Sequence, residues 1–218
     1  MLFLLYFAAY LAYLFATPET EFAHWVSLVG LPALALALVR RPRDAGARGT
    51  LAASVGLLPR NLGRGLVWAI PAGLALGTLQ LLASRHRDAI FELISSGRVV
   101  YLLPLACGLM LLTAASTEEF FFRGVLQTRL AALVRSRAVA ILLTSVLFGL
   151  FHWPYAYLVP HWPSHGDLWA ALQAAMCVGL LGGVVLGVVY ELSGRNLLAC
   201  AIVHALINAV PGMTQVRF

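Results

Sequence analysis

Lysine is absent, charge is scarce and cysteine nearly so, and each shortage narrows what this 218-residue chain can be. Only 11% of its residues are charged, against about 25% in a soluble domain, while 61% are hydrophobic and the mean hydropathy is +0.87. That balance excludes a soluble globular fold and fits one polytopic membrane domain over residues 1–218. The three cysteines, Cys107, Cys177 and Cys200, sit inside apolar runs without ligand-like spacing, which excludes a disulfide framework or a zinc knuckle. No HExxH sequence is present, so the helix of the common zinc proteases is excluded too. No inverted repeat is visible, which counts against a transporter. All fifteen basic residues are arginine and the net charge is +6. Six of them (Arg40, Arg41, Arg43, Arg48, Arg60, Arg64) crowd one segment between apolar runs. This is the pattern of a cytoplasmic loop under the positive-inside rule, not of a nucleic-acid site.

What the chain does have is apolar runs. Residues 2–16, 22–39, 66–83, 99 onward, 139–153, 168–190 and 196–210 predict an all-α transmembrane helix bundle of seven spans, with eight as the alternative count. Met1 opens directly into an apolar run with no basic n-region and no small-x-small cleavage site, so this segment reads as a retained span and not a signal peptide. Residues 17–21 form a short acidic turn, residues 40–64 a loop with an interfacial stretch at 51–58, residues 85–98 a polar connector, and residues 154–167 a loop without arginine. The pattern from 99 to 134 exceeds one straight span of about 20 residues. It either leaves the membrane near Arg123 and follows the surface or forms two spans joined at Glu118-Glu119. Arginine placement puts the N-terminus, the 40–64 loop, residues 123–137 and Arg195 on the cytoplasmic side. Gly73 with Gly77, and Gly179, Gly183 and Gly187, are spaced for close helix approach. Trp153, Trp162 and Trp169 suggest an aromatic belt, Glu191 and Arg195 helix-end caps, and His161 and His165 loop residues; His24 and His86 have no evident companions.

The informative residues are the polar ones in apolar surroundings. Ser116-Thr117-Glu118-Glu119-Phe120-Phe121-Phe122-Arg123-Gly124 puts three charges after a long apolar run, at an insertion cost of about 2.5–3.5 kcal/mol each. Glu119 and Arg123 are spaced i,i+4 for an ion pair, while Glu118, turned about 100°, faces elsewhere. Phe148 precedes His152 by four residues on a second span, and His204 precedes Asn208 by four on a third. Together these groups suit water-driven amide hydrolysis. Glu118 can take a proton from water, His152 can orient that water, and His204 and Asn208 can hydrogen-bond the developing oxyanion. A zinc site built from Glu118, His152 and His204 is the competing arrangement. With Glu119 committed to Arg123, no carboxylate is left to brace either imidazole behind a metal, so the metal-free mechanism is the expectation.

At these residues the chain resembles the CAAX prenyl protease and bacteriocin-processing family of intramembrane proteases. The pattern is EExxxR at Glu118–Arg123, FxxxH at Phe148–His152 and HxxxN at His204–Asn208, followed after Arg123 by Gly124-Val125-Leu126. It covers about residues 99–210, the expected catalytic core; the earlier spans are generic. The resemblance implies Glu118 as catalytic glutamate, His152 as its partner in activating water, His204 and Asn208 as the oxyanion pair, and Glu119, Arg123 and Phe148 as structural or orienting residues. It further implies a glutamic- or metallo-type endopeptidase of a prokaryotic cytoplasmic membrane, acting on a membrane-associated or C-terminally tailed protein among lipids. A non-enzymatic immunity factor or scaffold of the same fold is the alternative of a different class.

Overall fold

The computed structural model describes residues 2–17, 20–39, 51–57, 61–84, 86–160 and 162–214. Among these, every regular element is helical: α1 Leu2–Ala16, α2 Glu21–Trp25, α3 Leu31–Val39, α4 Leu51–Ser54, α5 Leu62–Ala83, α6 Arg87–Ser95, α7 Val99–Met110, α8 Ser116–Glu119, α9 Thr128–Val134, α10 Arg137–Leu158, α11 Leu168–Leu192 and α12 Leu197–Gly212. Three π-helical stretches, Val26–Gly30, Leu111–Ala115 and Phe120–Gln127, join α2 to α3, α7 to α8 and α8 to α9. Five helical runs among the described residues are long and apolar enough to cross a membrane: Glu21–Leu38, Leu62–Ala83, Val99–Val134, Arg137–Leu158 and Leu168–Leu192. Leu2–Ala16 and Leu197–Gly212 are shorter apolar helices. This is an all-α polytopic membrane bundle. The chain falls into two compact units, Met1–Gly56 with Phe120–Val188, and Leu57–Glu119 with Val189–Phe218.

The first unit is held by aromatics and a glycine seam. Phe121 and Phe122 are fully buried, Phe121 against Tyr6 and Phe7 of α1 and Phe122 against Phe148 and Phe151 of α10, with ring centroids 4.9–6.4 Å apart. Such pairs contribute about 0.5–1.5 kcal/mol each beyond the area they bury. Lipid tails are as apolar as leucine, so helices in a bilayer associate by close van der Waals packing, and small residues permit it. The spacing expected of α11 is realised. A Cβ on Gly179 would lie 2.5 Å from Gly149 Cα, one on Gly183 2.8 Å from Ser145 Cα, and one on Gly187 2.9 Å from Gln127 Oε1.

The second unit packs α5 on α12 by the same device. A Cβ on Gly65 would meet Ala199 Cβ at 2.7 Å, and one on Gly73 would meet Leu206 Cδ1 at 2.7 Å. Gly77 faces Leu206 O and Val210 at 3.4 Å. Start and direction of α12 are fixed locally. Arg195 and Gly194 adopt positive φ in the preceding turn, and Asn196 caps the helix by accepting from Ala199 N at 3.0 Å.

Two expectations on loops are corrected. The connector at 85–98 contains α6, whose Ile90 is buried with Leu102, Ala106, Ala209 and Met213, because an amphipathic segment that short still finds an apolar surface to cover. The helix expected to stop at Trp153 runs through Pro154 to Leu158. Its end is satisfied from the following loop, where Ser164 Oγ donates to Ala156 O at 2.9 Å and His165 Nδ1 to Tyr157 O at 3.0 Å. His165 is therefore a helix cap. Of the three tryptophans, Trp153 and Trp162 lie half-buried against Ala156, Ala171 and Ala175, and Trp169 is the exposed one. Arg195 and Glu191, expected as helix-end caps, pair with each other at 3.4 Å. His161, Arg85 and the arginines at 40, 41, 43, 48 and 60 lie outside the described residues.

Candidate active site

In the second unit, the helix carrying the glutamates is bent before it delivers them. Thr113 has non-helical backbone angles (φ −112°, ψ −108°), and a bend at membrane depth frees carbonyls that water cannot reach. Hydroxyls take over. Thr113 Oγ1 donates to Leu109 O at 2.9 Å, Thr117 Oγ1 to Thr113 O and Ala114 O at 3.0 Å, and Ser116 Oγ to Leu111 O. Ser116 and Thr117 thus belong to the site as braces of α8. Beyond them Glu118 and Glu119 are both buried, 6% and 0% exposed, opposite His204 of α12 at 4%.

The two carboxylates meet opposite nitrogens of one ring. His204 Nδ1 lies 2.8 Å from Glu119 Oε1, and His204 Nε2 lies 3.8 Å from Glu118 Oε2. This corrects the ground given above for a metal-free site. Glu119 is a carboxylate hydrogen-bonded behind an imidazole, the bracing group that zinc-bound histidines use, and it comes from the same dipeptide as Glu118. Asn208 follows one turn after His204 on α12 and is half-buried.

In the first unit, Arg123 is 1% exposed, which for a guanidinium demands partners. Its Nη2 donates to Gly183 O at 3.1 Å, and the group lies over the Phe148 ring, 4.5 Å from the centroid. One turn along, fully buried Gln127 donates from Nε2 to Gly187 O at 3.2 Å. The glycine seam therefore exposes α11 carbonyls to polar side chains as well as letting helices close. Phe148 has a second task. Its carbonyl accepts from His152 Nδ1 at 2.8 Å, while its ring meets the imidazole edge-on at 4.7 Å. That leaves Nε2 as the acceptor nitrogen of half-buried His152. An apolar cavity of about 380 Å³ begins two residues further on, lined by Leu14, Phe15, Thr17, Pro154, Tyr155 and Leu158.

A three-ligand site of the usual catalytic kind would need a third donor beside Glu118 and His204. Among the described residues, no three or more His, Cys, Asp or Glu side chains are grouped to hold a metal ion.

A family model for type II CAAX prenyl endopeptidases, Rce1-like, matches residues 100–210, just over half of the chain. The chain belongs to this family. Glu118, Glu119, Arg123, Phe148, His152, His204 and Asn208 all fall inside the matched segment. No curated protein and no solved structure matches the chain. As a member of an endopeptidase family with long apolar helices, it is an integral membrane peptidase.

Three features escaped the sequence. Gln127 could have been found, as an uncharged polar residue soon after Arg123 within the stretch that follows the two glutamates. His24, set aside for want of companions, is buried with its ring 6.1 Å from that of Phe151. The Glu119–His204 bond joins residues 85 positions apart, and no local spacing rule reaches that far.

Proposed function

We propose that the protein is an intramembrane endopeptidase that hydrolyses a peptide bond of a membrane-associated substrate with water activated by glutamate and histidine. The observation that carries this is the buried Glu118–His204–Glu119 cluster within the segment matched by the endopeptidase family. Glu118 acts as general base, taking a proton from water as its oxygen attacks the scissile carbonyl carbon. His152, held through Nδ1 on Phe148 O, offers Nε2 to accept a hydrogen bond from that water. His204 and Asn208 donate to the carbonyl oxygen as it takes up negative charge. When the tetrahedral carbon collapses, the C–N bond breaks and Glu118 returns its proton to the leaving nitrogen. Arg123 and Phe148 hold the helix that bears His152. The apolar cavity beyond His152 offers room for an apolar part of the substrate. The N-terminus is assigned to the cytoplasm and the setting to a prokaryotic cytoplasmic membrane.

The test compares membranes carrying active protein with membranes carrying Glu118→Gln. Quantitative proteomics should show one or more uncut precursors accumulating with the variant, and His152→Ala, His204→Ala and Asn208→Ala should each reproduce them. Residues acting as a unit lose most of the rate when any one is removed, here by orders of magnitude. Near-normal turnover in Glu118→Gln would refute the assignment. If complementation by that variant is normal and no cleavage is ever detected, the site is one of binding and the protein an immunity factor or scaffold.

A further inference from the structure

We infer that Glu119 is the positioning residue of His204, fixing which imidazole nitrogen works; this rests on the hydrolytic reading above. In this inference the 2.8 Å bond runs from the His204 Nδ1–H, as donor, to Glu119 Oε1, as acceptor. Which nitrogen of an imidazole carries hydrogen is decided by the partner of the other, and here that partner is fixed. Glu119 is fully buried on α8, so no water stands ready to replace it.

With Nδ1 spoken for, Nε2 is the ring's remaining polar atom, and it is the one that lies 3.8 Å from Glu118 Oε2. Donation to an oxyanion calls on Nε2–H, a form in which the ring bears both hydrogens. Glu119 on one side and the developing oxyanion on the other then balance its charge in apolar surroundings. His152 presents a contrast. Its Nδ1 donates to a neutral carbonyl, Phe148 O, which makes Nε2 the acceptor nitrogen of the neutral ring. The two histidines thus differ in role through what stands behind Nδ1: a carboxylate behind the donor, a carbonyl behind the acceptor. Glu119 does not touch substrate in this scheme; it acts through His204.

Nitrogen NMR on the full chain labelled with ¹⁵N-histidine in lipid nanodiscs tests this, the His204 signals being assigned by their loss in His204→Gln. Nδ1 of His204 should be protonated in the unmodified protein. In Glu119→Ala the bond is gone, so Nδ1 should lose its hydrogen and the ring, no longer held from behind, should no longer aim Nε2–H at the oxyanion. On a substrate found as above, kcat should fall by about 100–1000-fold, the loss expected for one oxyanion donor, with KM little changed. An unprotonated Nδ1 in the unmodified protein overturns the inference, and that spectrum needs no variant to fold. Loss of kcat in Glu119→Ala with the tautomer unchanged also overturns it, since the effect would then be structural. Absence of cleavage by the unmodified protein, with Nδ1 protonated as expected, refutes the hydrolytic reading and leaves the fixed tautomer standing.

Discussion

Alanine placed at Gly179 and at Gly182, three residues apart on the same helix, should move stability in opposite directions. In a helix interior alanine is favoured over glycine by about 1 kcal/mol, because the chain loses less freedom on folding. At Gly182 nothing lies within 4 Å of the added Cβ, so Gly182→Ala should keep that gain or be neutral. At Gly179 the Cβ would stand 2.5 Å from Gly149 Cα, 3.0 Å from Gly149 N and 3.2 Å from Phe148 O. All three are backbone atoms, so no side chain can swing away. Carbon atoms pack at about 3.5–4.0 Å, and relief therefore needs α10 and α11 to part by about 1 Å or more. Overpacking of this kind costs about 1–3 kcal/mol, and a clash with backbone belongs at the upper end. After the propensity gain, Gly179→Ala should lose about 1–2 kcal/mol, or roughly 2–8 °C of melting temperature.

In the proposed mechanism the same displacement has a functional consequence, because Phe148 and His152 ride on α10 beside the seam. A shift of about 1 Å in a reacting group can cost about 100-fold in rate. Thermal unfolding in detergent, followed by intrinsic fluorescence, reads the first effect, and cleavage in proteoliposomes reads the second. Gly179→Ala as stable as Gly182→Ala would refute the seam as a packing constraint.

Two further outcomes follow. Purified protein dialysed exhaustively against a strong chelator should retain activity and contain less than stoichiometric zinc; stoichiometric zinc, with activity lost on removal and restored on addition, would instead make Glu118, His152 and His204 its ligands. Single cysteines introduced into a background lacking Cys107, Cys177 and Cys200 should react with an impermeant thiol reagent from outside at the exposed loop positions 163 and 165–167 and not at 40–64, as the arginine asymmetry requires; the opposite pattern would invert the orientation.

Membership and architecture were legible because they rest on short-range signals. Scarce charge, long apolar runs and three spaced motifs are properties of neighbouring residues, and the glycine repeat of α11 is read directly from spacing. Loop boundaries were less legible. Pro154 predicted a stop, yet the helix continues, because Ser164 and His165 reach back to cap carbonyls beyond it, a contribution made by residues outside the helix.

Partnerships among the polar residues were least legible, and Glu119 shows why. Helical periodicity states where a side chain leaves its own axis but not what stands opposite. Arg123, four residues on, was the only partner that a local rule could offer. The periodic ruler also fails on both sides of α8, at the bend on Thr113 and in the π-helical turns from Phe120 to Gln127, where residues no longer advance by 100°. Even so, the cost of burial pointed in the right direction. A carboxylate fully removed from solvent must be met by a donor, and His204 was the acid–base group named on the last span. What the sequence could not say is that the second carboxylate of the pair faces the other nitrogen of that ring. In the proposed mechanism it is this opposition, one glutamate behind the imidazole and one before it, that divides their tasks.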